Sequence, residues 1–390
     1  MLITASGVIP VAVFPVLYPW ISQKLPGLTE SVLGISTACF FGVSTLMAPL
    51  SGRFVDFLGG RRTSRVVAAG SITVLVGLLL APSPQVMVAV FAIAGLVQSL
   101  AITGSNLVMT HVLFGSWPAA SFGVRQTAVP LLSMFAGIGA SMLPPTIDWR
   151  VPFGMFGMLP IALLFLAPTS SAPVKTRAIR LSFHSQAAPH VFTLLGAIGF
   201  FGGIAVSAFM TYAVISLTAI EWSAGSAGGI VAVGSAAGIT MRIASGAYVD
   251  HTRSRVFMIT AALLVTGSVG GLCIASGDTA LAAVGVLLAY GGGWAFPGLL
   301  QYAITAAFPN RVGRTTGIVQ IGTGIGITVG PLLFTILRSH VNLGAAWIGI
   351  AISSLLAAAV AAWLGTQWEQ RSVESRPYLV DRIGDSLQGD

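Results

Sequence analysis

The sequence predicts an all-α membrane protein of twelve transmembrane helices, arranged as two pseudo-symmetric six-helix bundles. Composition, run length and an internal repeat predict it. Of the 390 residues 55% are hydrophobic and 8% are charged, with a mean hydropathy of +0.90. A soluble surface takes roughly a quarter charged residues, so lipid must be the main solvent. The apolar runs are about 17–25 residues long, the length of a helix that crosses a bilayer core. In lipid every backbone N–H and C=O needs an internal partner. That leaves helices, because the alternation of a barrel strand is absent.

Polar punctuation places the spans at 2–21, 32–52, 66–82, 86–109, 120–145, 152–168, 191–217, 224–247, 256–276, 279–303, 315–337 and 344–365. The first run starts almost at Met1, with neither a basic leader nor a small-residue cleavage site, and is expected to be a span. The expected organisation is one bundle over 1–168, a cytoplasmic linker over 169–190, a second bundle over 191–366 and a cytoplasmic tail over 367–390. The linker mixes Ser, Pro, Ala and basic residues, and the tail is polar and expected to be loosely ordered.

Basic residues concentrate in cytoplasmic loops. Arg53, Arg61, Arg62 and Arg65 follow span 2, Lys175, Arg177 and Arg180 lie in the linker, and Arg253 and Arg255 follow span 8. Arg311 and Arg314 precede span 11, and Arg371, Arg376 and Arg382 lie in the tail. All share one side if both termini are cytoplasmic, and only Lys24, Arg150 and Arg338 fall opposite. The net charge of +8 is therefore a topology signal. No nucleic-acid partner is expected, since that needs a soluble basic face. Cys39 and Cys273 sit inside apolar runs and make neither a disulfide framework nor metal spacing.

The repeat has a fixed offset of 194 residues. Tyr18 pairs with Tyr212, Gly34 with Gly228, Ser51-Gly52 with Ser245-Gly246, and Val55-Asp56 with Val249-Asp250. Arg61 pairs with Arg255, Gly104 with Gly298, Phe114 with Phe308, Gly123 with Gly317, and Gln126 with Gln320. Matching Asp, Arg, Gln and Tyr without a gap is hard to obtain by chance. Two parallel halves are a carrier architecture, with solute sites at the interface between repeats.

After span 2 the chain reads Gly52-Arg53-Phe54-Val55-Asp56-Phe57-Leu58-Gly59-Gly60-Arg61-Arg62. This resembles the signature loop of the major facilitator superfamily, G-x-L-A-D-R-x-G-R-R/K, with Gly52, Asp56, Gly59 and Arg61 in register. Phe57 and Gly60 stand where the family usually has Arg. A more degenerate copy, with Gly246, Asp250, Arg253 and Arg255, follows span 8. Gly52 permits close helix approach, and Asp56 can pair with basic residues or cap a neighbouring helix N-terminus. The resemblance implies an inner gate built from Gly52, Asp56, Arg61, Arg62, Asp250 and Arg253; the plain alternative is that Arg61 and Arg62 only anchor the loop.

Two arginines lie within apolar spans: Arg242 in span 8, four residues before Gly246, and Arg125 about one turn into span 5. A charge near the bilayer centre costs roughly 2.5–3.5 kcal/mol and normally faces a cavity or partner. No acid lies deep in any span to neutralise them. An uncompensated guanidinium is a receptor for a carboxylate or another planar anion. The pattern Arg242-x-x-x-Gly246 resembles oxalate/formate antiporters and monocarboxylate carriers, and Trp294 in span 10 is similar to an aromatic cavity residue there. The string Gly123-Val-Arg-Gln-Thr-Ala-Val-Pro130 resembles cyanate- and nitrate-like branches. Alternatively, Arg242 snorkels to the cytoplasmic face or pairs with Asp250, and Arg125 sits at the inner interface.

Gln126, Tyr18 and Tyr212 join the candidate solute site, the two tyrosines toward the outer side, which they could close and where aromatic belts also place Tyr. Gln98, Asn106, Gln301 and Gln320 suit either a polar path or interhelical hydrogen bonds. The glycines of span 11 suit close packing, and Gly291 to Gly293 follow no strand and make no nucleotide loop. The resemblance implies a secondary active carrier in the cell membrane, monomeric, moving a small organic anion of monocarboxylate type by proton coupling or exchange. A drug or cation exporter of the same fold is the alternative, lowered by the missing acid in span 1. No cofactor is expected, and neither a nucleophile–base pair nor H-E-x-x-H points to an enzyme.

Overall fold

The computed structural model describes residues 1–110, 118–142, 144, 146–166, 189–252, 255–307 and 312–374. Its helices make twelve crossings. The first, α1, is Leu2–Lys24. Glu30–Leu79 is one helical stretch that doubles back at Gly59, where φ is 72°, giving α2 over 30–58 and α3 over 60–79. Only a residue without a Cβ takes that left-handed conformation cheaply. The next crossing, α4, is Pro84–Thr110.

Two shorter crossings complete the first bundle. Pro118–Arg125 and Ala128–Met142 form α5, interrupted at Gln126 and Thr127. Arg150–Met155 and Met158–Leu166 form α6. The second bundle holds α7 (Pro189–Ala219), α8 (Ala224–Thr252) and α9 (Val256–Ala275). Then come α10 (Thr279–Leu288, a π-turn Ala289–Gly293, and Phe296–Ala307), α11 (Val312–His340) and α12 (Leu343–Glu374).

Three expectations change. The segment after span 2 is helical almost throughout, because a single glycine reverses the chain and no longer loop is needed. The linker's last two residues already belong to α7, and residues 167–188 lie outside the described part. The helix α12 continues to Glu374, past the expected start of the tail at 367.

All crossings end on one of two faces. Asp56 and Asp250 mark one, Glu30 and Arg338 the other. The bundles meet chiefly along three seams, α1 on α7, α2 on α11 and α5 on α8, and α5 also meets α10. Glycines make the α5–α8 seam tight along its length. A Cβ on Gly123 would lie 2.5 Å from the Arg242 carbonyl oxygen, and one on Gly137 would lie 2.3 Å from that of Gly228. The apolar core continues across the bundles. On one side Phe14 makes edge contacts with Phe91, Trp149 and Phe153; on the other Phe209 stacks on Trp347 and Tyr212 on Phe334.

Candidate functional site

Arg242 lies on α8 eight residues before Asp250, about 12 Å into the bundle at 1.5 Å per residue. It is only 3% exposed. Its guanidinium turns inward to α10, where Nη2 donates to the Trp294 carbonyl oxygen. The Trp294 ring lies 5.3 Å from Cζ, within cation–π range. Nε and Nη1 are buried without a hydrogen-bond partner among the described residues. The side chain thus neither snorkels to the face nor pairs with Asp250.

The break in α10 makes this contact. In the π-turn the Trp294 N–H reaches back to the Ala289 carbonyl at 2.9 Å. Gly292 and Gly293 press on α9, where Cβ atoms would lie 2.5 Å from Thr266 and 2.6 Å from Gly267. With that side of the turn pinned, the Trp294 carbonyl is left for a side-chain donor. Tyr290, one turn earlier, meets the Trp294 ring edge-on at 4.8 Å and donates its hydroxyl to the Phe209 carbonyl. Ser235, two turns from Arg242 on α8, has a buried hydroxyl without a partner. Tyr290 and Ser235 escaped sequence reasoning. Their only signals were a tyrosine beside three glycines and one more serine in an apolar span.

Arg125 is half-buried at the end of the first segment of α5 and Gln126 sits in its interruption. Arg125 makes no hydrogen bond or ion pair among the described residues. It is two residues past Gly123, which packs on Arg242, so it leaves α5 on a different side. Tyr18 and Tyr212 lie toward the Glu30 face, well away from Arg242. The Tyr18 hydroxyl donates to the Leu28 carbonyl at 3.2 Å. The Tyr212 hydroxyl bonds the Pro331 carbonyl at 3.1 Å and the Thr335 hydroxyl at 2.7 Å. Of the six candidates for the solute site, the structure therefore brings Arg242 and Trp294 into contact.

At the Asp250 face the two copies of the motif differ. Asp250 accepts from the backbone N–H groups of Ala119 and Ala120, each at 2.9 Å. It caps the N-terminus of α5, where the helix dipole favours a negative charge. Gly246 lets α8 come that near, since a Cβ would lie 2.7 Å from the Ala120 Cα. Asp56, Arg61 and Arg62 are exposed and make no such bond among the described residues. Among the described residues nothing lies within 4 Å of a Cβ on Gly52. Arg253 lies outside the described residues.

The opposite face carries a contact that sequence reasoning missed. Arg338 on α11 grips Glu30 on α2 with two bonds, Nε to Oε2 at 2.6 Å and Nη2 to Oε1 at 2.7 Å. No local pattern announces a partner 308 positions away.

The model of the Major Facilitator Superfamily matches residues 1–303 and 253–382 of this chain. The chain belongs to the Major Facilitator Superfamily. It is accordingly a multi-pass secondary transporter and not an enzyme. Among solved structures it is similar to the human organic anion transporter MFSD10 (TETRAN), with a TM-score of 0.68 and 16% identity over 92% of this chain and 98% of that one. At that identity the likeness shows the facilitator fold alone. No curated protein matches by sequence.

Proposed function

We propose that this facilitator carries a small organic anion bearing one negative charge, of monocarboxylate type, with Arg242 as its receptor. One observation carries the reading: a guanidinium buried between α8 and α10 with two N–H-bearing nitrogens unpartnered. A carboxylate oxygen on Nη1 or Nε supplies the missing acceptor and the missing charge. The Trp294 face offers the flat wall that a small planar solute requires. Arg125 and Gln126 serve as a second polar station toward the Asp250 face. The solved neighbour named as an organic anion transporter accords in kind. The basic residues of the loops after spans 2 and 8 support an orientation in a cell membrane with the Asp250 face toward the cytoplasm. Alternating access then proceeds by proton coupling or exchange.

The bond to Trp294 favours a second reading, in which Arg242 only closes the interrupted α10. Proteoliposome uptake of formate, lactate, pyruvate and oxalate, beside thermal unfolding of the same variants, separates the two. As receptor, Arg242→Ala loses about tenfold or more of the uptake, from a charged hydrogen bond of roughly 1.5–3 kcal/mol, and Arg242→Lys recovers only part. Normal uptake by Arg242→Ala of every anion that the wild type carries would refute the receptor role.

A further inference from the structure

We propose that Ser235 is a second contact for the solute, one helical turn beyond the Arg242 guanidinium. Through it the carrier prefers short carboxylates that bear a hydroxyl or oxo oxygen on the carbon next to the carboxylate. This role rests on Arg242 being the receptor. Ser235 is fully buried, and its hydroxyl has no partner among the described residues. Two other buried hydroxyls of the second bundle bond the helix that bears them: Ser207 donates to the Gly203 carbonyl at 3.0 Å and Thr211 to that of Ser207 at 2.7 Å. Ser235 makes no such bond. A buried polar group left open costs stability and calls for an explanation.

Its place on α8 fixes the direction in which it points. With 3.6 residues per turn, Ser235 and Arg242 fall within about 20° of each other around the helix. On one flank of this line Gly228, Ala232 and Gly246 pack on α5, and on the other Gly234 and Gly238 pack on Tyr290 of α10. Val233 and Thr240, on the far side, are exposed. The line therefore looks between α5 and α10 toward α1 and α7, which α8 also meets. That is the interface of the halves, where carriers of this architecture hold their solutes. The repeat does not ask for polar groups here, since its offset carries Ser235 onto Phe41 and Arg242 onto Ala48. Both belong to the second half alone.

Helical side chains lean toward the N-terminus, so the guanidinium reaches back along α8. Its Nη1 lies 3.8 Å from where a Cβ on Gly238 would be, and Gly238 is one turn from Ser235. Cβ positions three residues apart on a helix are about 5–6 Å from each other. The open hydroxyl and the open Nη1 thus stand roughly 5–8 Å apart. That is too far to bond each other, and it suits a solute that offers an oxygen to each. In a 2-hydroxy or 2-oxo acid a carboxylate oxygen and the neighbouring oxygen are about 2.7 Å apart, and two hydrogen bonds of about 2.8 Å complete the span. Acetate and propionate meet the hydroxyl with a hydrocarbon group and leave it unpaired.

The test is uptake by the full chain in proteoliposomes, counted against protein-free vesicles, of two solute pairs that differ by one oxygen: lactate with propionate, and glycolate with acetate. The wild type is expected to take the hydroxylated member with a KM about threefold to tenfold lower, the fold-change of one net hydrogen bond. In Ser235→Ala that preference should disappear, and Ser235→Thr, which keeps the hydroxyl, should retain it. A wild type without the preference overturns the role of Ser235 even if neither variant folds. So does an Ala variant that keeps the preference, one in which both members of a pair fall equally, or a Thr variant that loses it. Arg242→Ala separates the two readings. If it loses uptake of all four acids while Ser235→Ala keeps the wild-type preference, only the role of Ser235 fails. If it carries all four normally, the receptor reading fails and the role of Ser235 with it. A wild type that carries none of the four likewise overturns the assignment of Ser235.

Discussion

Residues related by the repeat have the same identity but not the same surroundings, and glycine shows this most sharply. Gly246 lies under the backbone of Ala119 and Ala120, while no described residue comes within 4 Å of a Cβ on its counterpart Gly52. Ala at 246 is expected to lower stability by about 1–3 kcal/mol, the usual cost of overpacking a close contact. Ala at 52 is expected to change it by less than about 0.5 kcal/mol, as at an unencumbered position. Thermal unfolding in detergent checks both. The motif around Gly52 pointed to close helix approach, but a motif cannot say which of two copies is engaged in a given state. Likewise, the sequence singled out Arg242 because its span holds no balancing acid. It could not show that the π-turn would bring the Trp294 carbonyl to the guanidinium, since three consecutive glycines fit many backbones.

At the scale of elements, the capping of α5 by Asp250 is a bond between bundles, so its loss has two readouts. Asp250→Ala removes both acceptors from the N–H groups of Ala119 and Ala120, which should cost about 1 kcal/mol or more, as for other helix caps. It should also loosen the Asp250 face, seen as faster thiol labelling of a cysteine at Ala120. Unchanged labelling would mean that the cap only stabilises α5. Gly59 allows a complementary measurement. Ala there meets a φ of 72° and a ψ of 168°, a region open essentially to glycine alone, with no described residue crowding it, so the expected penalty of about 1–3 kcal/mol would arise from backbone alone.

For the whole molecule, twelve crossings and two halves were legible because each rests on run length or a repeated string, and the motif drew attention to the Asp250 face, where Asp250 and Gly246 are the members engaged among the described residues. The ion pair at the other face was not. Glu30 and Arg338 look like ordinary residues at span ends, and their meeting depends on how two bundles dock, which neither local spacing nor the repeat encodes. That docking can be frozen. A Cβ on Gly324 would lie 3.0 Å from the Thr45 Cβ, inside the roughly 3.5–4.5 Å span of a disulfide, so a bridge forms once the two helices yield by about half an ångström. Gly324→Cys with Thr45→Cys is therefore expected to cross-link on mild oxidation and to stop turnover until a reductant is added. Full transport by the oxidised protein would show that α2 and α11 need not separate.

The orphaned nitrogens of Arg242 bear on how traffic is timed. If a guest anion is what cancels that charge, the vacant carrier must drag a bare cation through its reorientation and the occupied one need not. The return trip without cargo then becomes the slow leg, and solute waiting on the far side should hasten uptake severalfold. Preloading vesicles with the same anion would reveal this acceleration, and equal rates from empty and loaded vesicles would argue against it.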